Sequence, residues 1–298
     1  MTNMIGKVIG IIVVALLVLM MLVLLFENHD FNNLGGIEKR EFYCFRDHLR
    51  IRGTVFLPTG KINLPAAIVC HEFMTNRLFS YPYAIALARS GYVAFCFDFC
   101  GGVLLSSSDG SSRNMSVLSE IEDLRSVVTF VEGQKYVCDV PILLMGCSQG
   151  GLVAALIAAE MREKIGGLIL QYPALSIPDD ARKGTMLWMK FDPQHIPEHM
   201  HSGPMRLGEC YVRDVMTIDT FSAITKYTGK LLFIQGDKDK IATISNSQKA
   251  TKAYKEAGAK VCFQVIPGGH HIIFSPKQMK QAIHAIMQFA SQIKKTNT

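Results

Sequence analysis

Three hydrophobic rhythms follow one another along the chain. The first is an unbroken apolar run, Val8 to Phe26, that contains no charged residue. At about 19 residues it has the length of a helix that crosses a bilayer. It exceeds the roughly 7 to 15 apolar residues of a cleaved secretion signal, and no A-x-A-like site follows it. It also lacks the polar face of a surface helix in a soluble domain. The pattern predicts a transmembrane anchor within residues 1–30, with a polar, Gly/Asn-rich tether running to Gly35-Gly36.

The second rhythm is a pair of strand-like segments, Glu41 to Arg46 and Leu49 to Phe56, rich in β-branched and aromatic residues around the turn residues Asp47-His48. The third is an alternation. Short apolar runs at Ala66 to Cys70, Val93 to Phe97, Ile142 to Met145, Leu168 to Leu170, Leu231 to Ile234 and Val261 to Ile266 suit strands buried on both faces of a mostly parallel sheet. Between them, Tyr81 to Arg89, Val117 to Val131, Leu152 to Arg162 and Gln278 to Ile293 repeat apolar residues at helical spacing. Alternation of this kind predicts an α/β domain over residues 37–298. Ser176 to Thr228 breaks the alternation with far more chain than a connection needs, and predicts an inserted cap over about residues 176–228.

Composition changes this picture little. Apolar residues make up 49% and charged residues 19%, an ordinary globular balance that allows a sizeable core. The net charge of +6, with Lys294-Lys295 near the end, reads as a solvated basic surface. No aromatic-plus-basic pattern points to nucleic acid. Lys7 and the terminal amine before the apolar run, against Glu27 and Asp30 after it, predict a cytoplasmic N-terminus and a catalytic domain on the far side of the membrane. Of eight cysteines, Cys70, Cys96, Cys138, Cys147 and Cys262 fall in or beside apolar runs and read as core packing; no CxxC pair suggests zinc.

The candidate chemistry begins at Gly146-Cys147-Ser148-Gln149-Gly150, a G-x-S-x-G set between an apolar strand and an apolar helix. A sharp strand-to-helix turn there lifts the serine hydroxyl clear of the sheet, and tiny neighbours let the backbones approach. The start of the following helix supplies unpaired N–H groups where an oxyanion forms, so the Gln149 N–H is a natural donor. An acid and a base should follow in the order Ser, acid, His. Asp237 and Asp239 stand after the strand Leu231 to Ile234, and His270 and His271 after the strand Val261 to Ile266, both at strand ends where open α/β sheets place their sites. His195, His199 and His201 could suggest a metal, but Pro193 and Pro197 interrupt any regular helix, and they read as cap histidines.

Taken together, Cys70-His71-Glu72-Phe73, Phe97-Asp98-Phe99-Cys100-Gly101-Gly102, the Ser148 elbow, Gly236-x-x-Asp239 and Gly268-x-x-His271 resemble the α/β-hydrolase superfamily, and within it the cinnamoyl (feruloyl) esterase-like carboxylesterases. The resemblance runs from Ile37 to the C-terminal helix. It implies an α/β-hydrolase fold with Asp239 as the acid, and its Gly-x-x-His register selects His271, whereas a shorter loop count selects His270. It implies Phe73 N–H as the second oxyanion donor and Asp98 as a structural brace. The family pattern has glycine where this chain has Glu72, a costly exchange if the position needs a positive φ, and a carboxylate there opposes an oxyanion unless it points away.

The expected activity is carboxylic ester cleavage through an acyl-enzyme, with Ser148 as nucleophile and no metal or organic cofactor. The expected partners are a small-molecule or lipid ester and, through the N-terminal helix, a membrane. A lipid hydrolase, an acyltransferase or a serine peptidase shares the same machinery, and a silent binding protein on this fold is the reading that Glu72 favours.

Overall fold

The apolar runs assemble into one eight-stranded sheet. The computed structural model describes residues 34–102, 106–186, 189–203, 205–273 and 275–297, and the run Val8 to Phe26 lies outside them. Among the described residues no helix is long and apolar enough to cross a membrane. A hairpin opens the domain: β1 (Ile37–Arg46) and β2 (Leu49–Pro58) pair antiparallel along their whole length, turning at Asp47, whose φ of 52° is the left-handed value such a tight turn requires. There follow β3 (Ala66–Cys70), α1 (Arg77–Arg89), β4 (Val93–Phe97), α2 (Val117–Glu132), β5 (Ile142–Cys147), α3 (Ser148–Glu160) and β6 (Ile165–Gln171).

Between β6 and the next long strand lie only short elements: α4 (Ile177–Arg182), the hairpin of β7 (Thr185–Met186) and β8 (Met189–Lys190), the hairpin of β9 (His199–Ser202) and β10 (Met205–Gly208), α5 (Cys210–Met216) and α6 (Thr220–Ile224). The chain then returns to the sheet with β11 (Lys230–Gly236), α7 (Ile244–Glu256), β12 (Lys260–Ile266) and α8 (Pro276–Asn297). The strand order is β1-β2-β4-β3-β5-β6-β11-β12, and β2 alone runs against the other seven.

This order puts β5 at the centre, flanked by β3 and β6 in parallel register. All six of its residues are buried, which is why its sequence is a continuous apolar run and not an alternating one. One core packs on the face covered by α2, α3 and α7, and a second on the face covered by α1 and α8. The α3 helix is buried almost all round, consistent with its run of small and aliphatic residues from Leu152 to Ala159.

Two sequence expectations are corrected. Cys262 is exposed and Cys138 only half-buried, because Cys262 lies on the outer face of the edge strand β12; Cys70, Cys96 and Cys147 are core residues, and all eight cysteines are free thiols. The helix α7 escapes the apolar pattern because its buried positions are Ser247, Ala250, Thr251 and Tyr254, correctly spaced but small or polar.

Candidate active site

Ser148 follows β5 without a connecting residue and is the first residue of α3. Its φ is 50°, left-handed and uncommon for a residue with a side chain, as a strand turning directly into a helix demands. The turn closes because its neighbours lack side chains. A Cβ on Gly146 would stand 2.2 Å from the Gly150 carbonyl oxygen, and one on Gly150 would stand 2.3 Å from the carbonyl oxygen of His71. The second approach presses the loop after β3 against the start of α3, so the segment His71-Glu72-Phe73 borders the serine. The first N–H groups of α3, including that of Gln149, have no acceptor within the helix.

Two further loops converge on Ser148. A Cβ on Gly236, at the end of β11, would come 2.2 Å from the carbonyl oxygen of Gly269, so the loops after β11 and β12 meet backbone to backbone. On them stand Asp239 and His271. The Ser148 Oγ lies 2.8 Å from His271 Nε2, and His271 Nδ1 lies 2.9 Å from Asp239 Oδ2. Asp239 is buried and fully engaged: its Oδ1 accepts from the N–H groups of Ile241 and Ala242 at 2.8 and 3.0 Å, and its Oδ2 also accepts from Gln235 Nε2 at 3.0 Å. Gln235 is held in turn by Ser247 Oγ at 2.7 Å. These bonds fix the carboxylate in the plane that meets the imidazole. Asp237 is exposed and accepts instead from the Gly268 N–H at 2.7 Å, and His270 is exposed. The fold thus brings Ser148, His271 and Asp239 together and leaves Asp237 and His270 outside.

The loop after β3 is held by its own histidine. His71 Nε2 accepts from the Phe99 N–H at 3.2 Å, which leaves Nδ1, 2.7 Å from the Glu72 carbonyl, as the donor. Burial pushes its pKa below the usual histidine range, in keeping with a neutral strut. Glu72 has no left-handed φ; that conformation falls on Met74, at 63°. The Glu72 carboxylate is buried, with Oε1 accepting from Tyr172 OH at 2.8 Å and Oε2 from Thr75 Oγ1 at 2.9 Å. Tyr172, just past β6, also lays its ring 5.0 Å from that of His271. Asp98 braces the start of α1, accepting from Arg77 N at 2.7 Å and from Arg77 Nη1 at 2.6 Å.

A depression of about 330 Å³ opens beside the histidine, lined by Lys240, Ile241, His270, His271 and Ile272. In the segment between β6 and β11, His195 pairs with Asp192 and His199 with Glu198. Among the described residues no three metal-ligating side chains gather. Nothing in the sequence singles out Gln235 or the strut formed by His71, although His71 lies in the His-Glu-Phe run; Tyr172, which the sequence places near the cap entrance, stands instead against Glu72 and His271.

Comparison with known proteins agrees with this architecture. The sequence profile described as the prolyl oligopeptidase family matches residues 79–296, well over half of the chain. Est1E from Butyrivibrio proteoclasticus, in a structure with ferulic acid bound, is similar with a TM-score of 0.79 and 26% identity, covering 85% of this chain and 99% of that one. The Pyrococcus furiosus esterase Pf2001 shares the fold with a TM-score of 0.66 and 16% identity, over 89% of this chain and 96% of that one. An uncharacterised 31.7 kDa protein of the traX-finO intergenic region of Escherichia coli is 32% identical over 99 residues, 33% of this chain. That match spans 34% of the relative's length.

Proposed function

The chain belongs to the prolyl oligopeptidase family, hydrolases of the α/β-hydrolase fold, and on that premise we propose that it is a serine carboxylesterase whose nucleophile is Ser148. The observation that carries this reading is the hydrogen-bonded line from Ser148 Oγ through the His271 imidazole to Asp239. His271 Nε2 takes the serine proton as Oγ attacks the ester carbonyl, while Asp239 holds the Nδ1 proton and offsets the charge on the imidazolium. The N–H groups of Gln149 and Phe73 receive the oxyanion. His271 then protonates the departing alcohol, and a water activated by the same nitrogen hydrolyses the acyl-enzyme.

An ester is favoured over an amide by the likeness to Est1E, at 26% identity over 85% of this chain. The family match favours a serine peptidase as the second reading. The segment between β6 and β11 is the cap that selects the acyl or alcohol group, and the depression beside His271 is one flank of the substrate cleft. The apolar run Val8 to Phe26 anchors the protein in a membrane with its N-terminus in the cytoplasm and the catalytic domain on the other side.

The test is a substrate panel. Methyl hydroxycinnamates, 4-nitrophenyl esters of increasing chain length, thioesters and prolyl amides are compared with wild type and Ser148→Ala. Ester turnover that Ser148→Ala abolishes, with little amide turnover, is expected. Turnover of prolyl amides above esters would give the peptidase reading precedence.

A further inference from the structure

A buried polar line joins the cap to the Ser148 elbow through groups that the triad does not use. Glu120, in the first turn of α2, is 2% exposed and forms no ion pair among the described residues; its Oε2 accepts from the side-chain amide of Gln149, Nε2, at 2.9 Å. The carbonyl oxygen of the same amide accepts from Tyr211 OH. Tyr211, on α5, is fully buried, and its ring centroid lies 5.6 Å from that of Phe73. The α5 helix is tied to α2 a second time, where the N-cap Ser116 hydroxyl donates to Asp214. A single tyrosine from the inserted segment therefore touches the side chains of both residues, Gln149 and Phe73, whose backbone amides are assigned to the oxyanion.

Both ends of the Gln149 amide are engaged, so the side chain cannot rotate without leaving a buried polar atom unpaired. Fixing the side chain fixes the backbone beside it. Oxyanion stabilisation depends on donors already aimed before the charge develops, so a small rotation at Gln149 is felt in the transition state more than in the substrate complex. We propose that Tyr211 and Glu120 are positioning residues of the oxyanion hole, which is aligned only while the cap segment is docked through Tyr211. The inference rests on the reading of Ser148 as nucleophile.

The ionisation of Glu120 gives the proposal an independent readout. Burial pushes its carboxyl up to about 8, so it is neutral through the neutral range and takes on charge above it. The groups facing it are Gln149 from α3, Asp123 from its own helix, Cys70 from β3 and Tyr211 from α5. Burial raises the Cys70 thiol and the Tyr211 phenol well above their usual ranges, so neither titrates with it; Asp123, pushed up to about 6, is ionised by then and paired with Arg46 at 2.7 Å. Above pH 8 the new negative charge at Glu120 sits one amide away from the oxyanion and opposes it.

The experiment measures kcat and KM for a 4-nitrophenyl ester from pH 6 to pH 10 in wild type, Tyr211→Phe, Glu120→Gln and Glu120→Ala, each checked for folding by circular dichroism and thermal unfolding. Tyr211→Phe keeps the ring against Phe73 and removes only the hydroxyl. It and Glu120→Ala should lower kcat by about 10- to 100-fold, the scale of a slight misalignment at a reacting centre, with KM little changed. Glu120→Gln keeps an acceptor for Gln149 and should restore kcat at pH 7 while losing the decline above pH 8. If Glu120→Ala fails to fold, Tyr211→Phe and Glu120→Gln decide alone. A folded Tyr211→Phe with wild-type kcat, or an unchanged alkaline decline in Glu120→Gln, would overturn the proposal. A wild type that turns over no ester and takes no fluorophosphonate would overturn the Ser148 reading instead.

Discussion

Glu72 is the residue at which sequence and structure pull hardest against each other. As a replacement for glycine in the loop proposed for the oxyanion, it brings backbone strain only if the position takes a positive φ, and an opposing charge unless the carboxylate points away. The position takes no positive φ: the left-handed residue of this loop is Met74, two positions on. The Glu72 carboxylate is turned to Tyr172 and Thr75. With no cation paired to it among the described residues, that carboxylate depends on these donors, so Tyr172→Phe should lower stability by about 1–3 kcal/mol, the cost of removing one partner from a buried acceptor. Urea unfolding reads this directly. A midpoint and slope equal to wild type would mean that the Tyr172 hydroxyl does not support Glu72. The same scale separates His271 from His270. The sequence offers both histidines, and only the closing together of the loops after β11 and β12 places one imidazole against Asp239 while the other remains in solvent.

At the scale of elements, the strand-to-helix elbow was legible from the start, since G-x-S-x-G between two apolar runs specifies both the turn and the reason for its glycines. The β3, β4 and β5 strands are buried throughout; β3 and β4 coincide with their apolar segments, and β5 runs on past Met145 to Cys147. Elements whose buried face is built from small or polar side chains were not legible. The α7 helix presents Ser247, Ala250, Thr251 and Tyr254 to the core, and the elements between β6 and β11 are too short for any period to emerge. The elbow also makes a steric prediction. At Gly150 an added Cβ meets the His71 backbone at 2.3 Å, and neither partner is a flexible side-chain tip. Gly150→Ala should therefore push the oxyanion loop from α3 and cost about 100-fold or more in kcat, in line with the loss of one oxyanion donor. Steady-state kinetics on a folded variant checks it; wild-type turnover would mean that the loop can give way at no cost.

For the whole molecule, the sheet order sets what can be a site. With β5 central and β11 and β12 at one side, the ends of three strands deliver a serine, an acid and a base to one edge, which is where open α/β sheets hold their ligands. The sequence contained the three residues and their order but not the contacts that hold them. Gln235 behind Asp239, the His71 strut and the line from Glu120 through Gln149 to Tyr211 are all long-range pairings, joined only when distant segments fold together. The central claim is that this convergence makes Ser148 nucleophilic. Its most direct test is the reaction of the folded protein with a fluorophosphonate, followed by peptide mass spectrometry to locate the adduct. The account predicts one adduct on Ser148, formed far more slowly in His271→Ala and not at all in Ser148→Ala; no adduct in folded wild type, or an adduct on another residue, would contradict it.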